Sequence, residues 1–218
     1  MDKLVTFLFV LIGWIFSLCL HEFSHALVAY YGGDTSVREK GYLTFNPLKY
    51  THPVYSLLMP LLFLVLGGIG LPGGAVYIET WRLRGKKWES AVALAGPAAN
   101  MALAVVLAVV LQFAPASGGG VWPGLGFLAL LQISAVVLNL IPVPPFDGYG
   151  ALAPFLNMEL RVKIARLSAF ITLGVFALLW YVPFVNDIFW MVVVLIGRIL
   201  QLPLDLVLQG YQQFSFWN

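Results

Sequence analysis

Residues 4–31 read LVTFLFVLIGWIFSLCLHEFSHALVAYY, an apolar run whose second half carries His21-Glu22-Phe23-Ser24-His25. The run exceeds the ~20 residues needed to cross a bilayer as a helix. On a helix, positions i and i+4 share a face, so His21 and His25 present two imidazoles to one metal ion. Glu22 then stands beside them, placed to act on water at that ion. Ionisable groups at membrane depth are costly and mark function. The pattern therefore predicts a metal site inside the membrane, and argues against three polar groups merely satisfied within a helical bundle.

Composition agrees with the membrane reading. Of 218 residues, 61% are hydrophobic and only 10% are charged, unlike a soluble domain. The net charge of +2 offers no basic surface for nucleic acid. Cys19 is the single cysteine, so no internal disulfide forms, and it reads as a small core residue. No small-residue cleavage site follows the first run, and cleavage there would discard the motif, so no cleavable signal peptide is expected.

Further apolar stretches cover 53–71, 90–113, 123–141, 164–182 and 184–202, and the tail to Asn218 carries aromatics and glutamines suited to an interface. Gly32-Gly33-Asp34 ends the first helix. The alternation in Gly41-Tyr42-Leu43-Thr44-Phe45 predicts a short strand or hairpin. The stretch 53–72 holds Pro60, Gly67, Gly68, Gly70 and Pro72, which suits a broken segment that enters the membrane and returns. That topology gathers 11 of the 12 Lys and Arg residues on one side, leaving Lys3 opposite. By the positive-inside rule this side is cytoplasmic, and His25 and Asp147 lie toward it. The cluster Arg82, Arg84, Lys86 and Lys87 reads as an anchor at anionic lipid. The tryptophans, from Trp14 to Trp217, read mostly as interface or lipid-facing residues. The fold class is thus an all-α polytopic membrane protein. It has about five to six transmembrane helices, one re-entrant segment and a short β-hairpin-like loop. A single domain spans 1–218, with a core at 4–156 and additional helices at 157–218.

A catalytic zinc takes three protein ligands and keeps one position open. Beyond the motif, the only histidine is His52. Of the ten acidic residues, Glu22 lies in the motif and Asp147 follows an apolar helix within the kinked Pro142-Val143-Pro144-Pro145-Phe146-Asp147-Gly148. The others lie in polar loops, near the termini or beside basic residues. Asp147 is therefore the best candidate for the third ligand.

The stretch from Asn139 to Gly148 resembles the asparagine-proline and aspartate-glycine motif of the site-2 protease family, the intramembrane zinc metalloproteases. Ala95-Gly96-Pro97-Ala98-Ala99-Asn100 resembles a recurring segment of that family, and 45–53 resembles its short, PDZ-free members. The similarity runs from about residue 17 to 156. It implies that His21, His25 and Asp147 bind Zn2+ and that Glu22 is the catalytic acid–base. It further implies that the protein cuts transmembrane segments of other membrane proteins. Asn139 is a candidate oxyanion donor or substrate contact. His52 and Asn100 are candidate substrate-binding residues, though Asn100 with Gly96 also suits close helix packing. Segment 73–78 departs from the family's usual proline–asparagine-rich segment, and no PDZ or CBS module is found in these residues. The site is expected in a multi-pass protein of a prokaryotic plasma membrane, on its cytoplasmic side. Two other readings stand beside this one. In a prenyl-processing type of membrane protease, Glu159 would be the third ligand. In a non-proteolytic zinc-binding pseudoprotease, transmembrane clients would bind without being cut, and an intact Glu22 argues against this.

Overall fold

The computed structural model describes residues 3–50, 76–115 and 118–215. The described residues are helical, with no strand among them. Helix α1, Lys3–Gly32, is 30 residues long, about 45 Å at 1.5 Å per residue. It ends where Gly33 adopts φ +121°, a conformation that favours glycine. A Cβ at Gly33 would also meet the Arg82 carbonyl oxygen at 2.6 Å. After the short helix α2, Ser36–Glu39, residues 41–46 form a turn and bends instead of the expected hairpin. The reason is local. Tyr50 folds back so that its hydroxyl lies 2.5 Å from the Thr44 carbonyl and 3.1 Å from that of Cys19. The Asn46 side chain accepts from the Leu48 N–H and caps a 3₁₀ turn at Pro47–Lys49. The backbone is thereby committed to turns and has no partner strand.

Helix α3, Lys86–Leu111, packs along α1, and α4, Trp122–Asn139, packs against both. A short α5, Asp147–Leu152, follows and lies on α3. Helices α6, Met158–Tyr181, and α7, Pro183–Ile199, come next. The final helix α8, Leu204–Phe214, packs extensively on α4. Among the described residues four helices, α1, α3, α4 and α6, are long and apolar enough to cross a membrane. The tail expected at the interface thus docks on protein: α8 buries Leu206, Val207, Gly210 and Phe214. A Cβ at Gly210 would run into the Pro123 carbonyl, so the helices meet backbone to backbone. The proposed re-entrant segment and His52 lie outside the described residues.

The core is the α1–α3–α4 seam closed by α8, with Val10, Ala104, Phe127, Leu131, Ile133 and Phe214 nearly or wholly inaccessible. Trp14 is 3% exposed and belongs to this core, contrary to the interfacial reading of the tryptophans. Trp81, 71% exposed, fits that reading. Cys19 is buried, as expected of a small core residue.

Candidate metal centre

The motif sits on the second half of α1, where His21, Glu22 and His25 are all buried. One helical turn separates the two histidines, so their rings meet edge to face at a centroid distance of 4.7 Å. The facing position on α3 is Gly96. A Cβ built there would strike the imidazole nitrogens of both histidines. Glycine is required so that α3 can approach the rings and leave space between them. That approach also gives His25 a partner: its Nδ1 lies 2.7 Å from the Val92 carbonyl oxygen of α3. A carbonyl only accepts, so Nδ1 carries the proton and Nε2 presents a lone pair to the site.

Asp147 arrives from the far end of α4. The Pro-rich turn after Asn139 reverses the chain, and Asp147 begins α5. A Cβ on the next residue, Gly148, would collide with the Leu140 carbonyl and lie 2.6 Å from that of Ile141. The Asp-Gly pair thus reflects a backbone contact between the start of α5 and the end of α4. The carboxylate then faces both rings: Oδ2 is 3.2 Å from His21 Nε2, and Oδ1 is 3.5 Å from His25 Nε2. The two Nε2 atoms are 3.0 Å apart.

These separations fit a metal. Ligand atoms at about 2.0–2.1 Å from a tetrahedral Zn2+ stand roughly 3.3 Å from one another. Donor atoms of His21, Glu22 and His25 also fall within 4.8 Å of one another. The Glu22 carboxylate accepts from the Val76 N–H at 3.1 Å. It lines, with His25 and Asp147, an open cleft of about 350 Å³. Val76, Ile78, Val92, Ala93 and Arg161 also border this cleft.

Segment 76–82 is clasped to the end of α1 by residues that sequence reasoning did not single out. Asp34, fully buried, accepts from the backbone N–H of Ser36 at 3.1 Å and of Glu79 at 2.7 Å. Lys40 pairs with Glu79 at 2.8 Å, and Arg82 pairs with the other oxygen of the same carboxylate at 2.5 Å. The only trace in sequence is an aspartate directly after the glycines that end α1.

His21, Glu22, His25 and Asp147 therefore converge. Asn139 and Asn100 are 2% and 4% exposed. Both line a separate small cavity behind His21, bordered also by Trp14 and Ser17, and neither borders the open cleft. Glu159 is exposed on the first turn of α6 and borders neither space.

No family model and no solved structure matches the chain. Curated relatives do, and they carry "Putative zinc metalloprotease" names. Rip2 of Mycolicibacterium smegmatis is 46% identical over 97% of this chain and 82% of its own length. Rip2 of Mycobacterium tuberculosis is 43% identical over the same shares. YwhC of Bacillus subtilis is 29% identical over 84% of each chain. Identity at this level, over nearly the whole chain, leads to one conclusion: the chain belongs to the site-2 protease family of zinc metalloproteases.

Proposed function

We propose that this protein is an intramembrane endopeptidase, with His21, His25 and Asp147 holding Zn2+ and Glu22 acting as acid–base. The observation that carries the reading is the convergence of two Nε2 atoms and one carboxylate within 3.0–3.5 Å, with both histidines on a helix apolar enough to cross a membrane. When bound, Zn2+ would supply Lewis acidity toward the scissile carbonyl and lower the pKa of water to about 7. The rest falls to the chain. His25, locked by Val92, keeps its Nε2 unprotonated. Glu22 removes a proton from the attacking water and delivers it to the leaving amine. The Val76 N–H steadies one carboxylate oxygen and leaves the other for that transfer.

Val76 and Ile78 border the cleft beside Glu22. An unwound stretch of substrate could lie along this side of the cleft. Such unwinding is needed because a helical amide is shielded and internally hydrogen-bonded. The substrates are therefore transmembrane segments of other proteins. The matching relatives are bacterial, which supports a bacterial plasma membrane. The charge bias supports a site toward the cytoplasm. With Asn139 behind His21, this reading assigns proton transfer to Glu22 and gives Asn139 no direct contact with substrate.

Purified protein, Glu22→Gln and Asp147→Ala should be compared for metal content and for cleavage of a model transmembrane peptide. Stoichiometric zinc is expected in the wild type and in Glu22→Gln, with cleavage lost in Glu22→Gln. Asp147→Ala should lose both. Wild-type cleavage by Glu22→Gln would overturn the mechanism, and full zinc in Asp147→Ala would overturn the ligand set.

A further inference from the structure

Behind the metal-facing side of His21 lies a second, closed space. It is bordered by Trp14, Ser17, His21, Asn100, Ala135 and Asn139. About 10 Å³ of it is open to the centre of a water molecule, which is room for one. Three of the residues that border this space carry a buried polar atom without a hydrogen-bond partner among the described residues: His21 Nδ1, Trp14 Nε1 and Asn100 Oδ1. Their residues are 4%, 3% and 4% exposed, so bulk solvent does not satisfy them. Leaving three such atoms unpaired in a packed interior is costly.

Their chemistry is complementary to one water. Indole Nε1 only donates. An amide oxygen only accepts. A water offers two lone pairs and two hydrogens. We infer that this cavity is a one-water site through which Asn100 positions His21. The water accepts from Trp14 Nε1–H and from His21 Nδ1–H, and donates to Asn100 Oδ1. Its second hydrogen is left for Ser17 or Asn139 on the same wall. Asn100 is then a positioning residue two hydrogen bonds removed from His21, not a substrate contact.

The consequence is for the tautomer. With its proton held on Nδ1, His21 presents an Nε2 lone pair toward His25 and Asp147. His25 reaches the same tautomer by a different route, the Val92 carbonyl. The site thus treats its two histidines unequally: one is fixed by backbone, the other by a side chain through water. Groups that orient a metal-bound histidine in this way are typically worth about 10–100-fold in metal affinity. The inference rests on the proposed zinc site and deepens it.

Zinc affinity, measured by chelator competition on the purified full chain in detergent, tests it without relying on activity. Asn100→Leu, close in size but without an acceptor, should bind zinc about 10–100-fold more weakly. Asn100→Asp keeps an acceptor oxygen and should bind like the wild type. Trp14→Phe keeps the ring but loses the N–H, and should show a smaller loss. A residue that only packs helices would lower the unfolding stability of Asn100→Leu without this acceptor-dependent pattern. Wild-type affinity in Asn100→Leu, or an equal loss in Asn100→Asp, would overturn the proposal. Should Asn100→Leu not fold, unchanged affinity in Trp14→Phe overturns it instead. A wild type that binds no zinc overturns the metal site and this inference together. Stoichiometric zinc with no effect of these variants overturns the inference alone.

Discussion

Helices α4 and α6 are both long and apolar enough to cross a membrane, yet α4 buries 14 of its 18 residues while α6 buries only Leu179. Hydropathy is blind to this difference, because lipid tails and a protein interior are equally apolar. Small residues separate the two. At Gly126 a Cβ would lie 3.1 Å from the backbone of Leu206 and Val207, and at Gly124 it would meet the Phe9 ring at 3.0 Å. The chain can therefore pack α1 and α8 directly onto α4. Helix α6 offers Phe170 and Leu173 outward, 73% and 67% exposed, and its Gly174 has no neighbour within 4 Å. Close packing positions the metal centre, and lipid-facing surface does not.

If that contrast is right, the largest effect should follow from filling the closest approach of all. Gly96→Val would drive a side chain into both imidazoles. Metal analysis should find the zinc lost and cleavage abolished, even if the helices still fold. Stoichiometric zinc in this variant would mean that α3 does not crowd the site.

Next comes Leu131→Ala in α4, which removes a side chain 1% exposed. A loss of about 2–5 kcal/mol in unfolding stability is expected, from lost contacts plus the cavity left behind. Reversible unfolding in mixed micelles measures it. A change as small as that of an α6 variant would erase the distinction between the two helices.

The clasp at 76–82 stands between these extremes. Hydrogen bonding from Lys40, opposed by partial burial and helped by Arg82, holds the Glu79 carboxyl below its ordinary range. A lowered folded value means that its stabilising effect is full above the unfolded carboxylate range. The effect is lost as pH falls through the folded value. Acidification should therefore release amide-exchange protection at 76–82 before α3 loosens, after correction for intrinsic exchange. Glu79→Gln should show the released state already at neutral pH. Equal protection in both proteins across that pH range would remove Glu79 from the clasp.

The smallest effect belongs to α6. Phe170→Ala and Leu173→Ala should each change stability by no more than about 0.5 kcal/mol and leave zinc content untouched. A larger loss would reveal that α6 is covered by something other than lipid.

Much of this was legible beforehand. The His21–His25 spacing, the carboxylate of Asp147 after a proline-rich kink and the apolar helices were all read from local pattern, although α6 begins at Met158, six residues before the expected apolar segment. The expected hairpin at 41–45 failed because alternation over five residues does not reveal that Asn46 caps a turn and Tyr50 folds back. Trp14 was misread because an interfacial residue type says nothing about which side of its helix meets protein. Asn100 and Asn139 were recognised as noteworthy, yet their position behind His21 depends on how three helices are rotated about their axes.

By itself, then, the sequence determined the chemistry available: two histidines and a glutamate on one helix, an aspartate in a loop, and enough apolar length to place them in a membrane. These follow from helical periodicity and from the cost of charge in lipid, both of which act locally. The tertiary structure alone decided that Asp147 meets the histidines at 3.2 and 3.5 Å, that Val92 locks one ring, and that α4 is central while α6 is not. Such choices rest on backbone approach at Gly96, Gly126, Gly148 and Gly210. A glycine in the sequence permits a close contact, but only the folded chain supplies the partner that makes it.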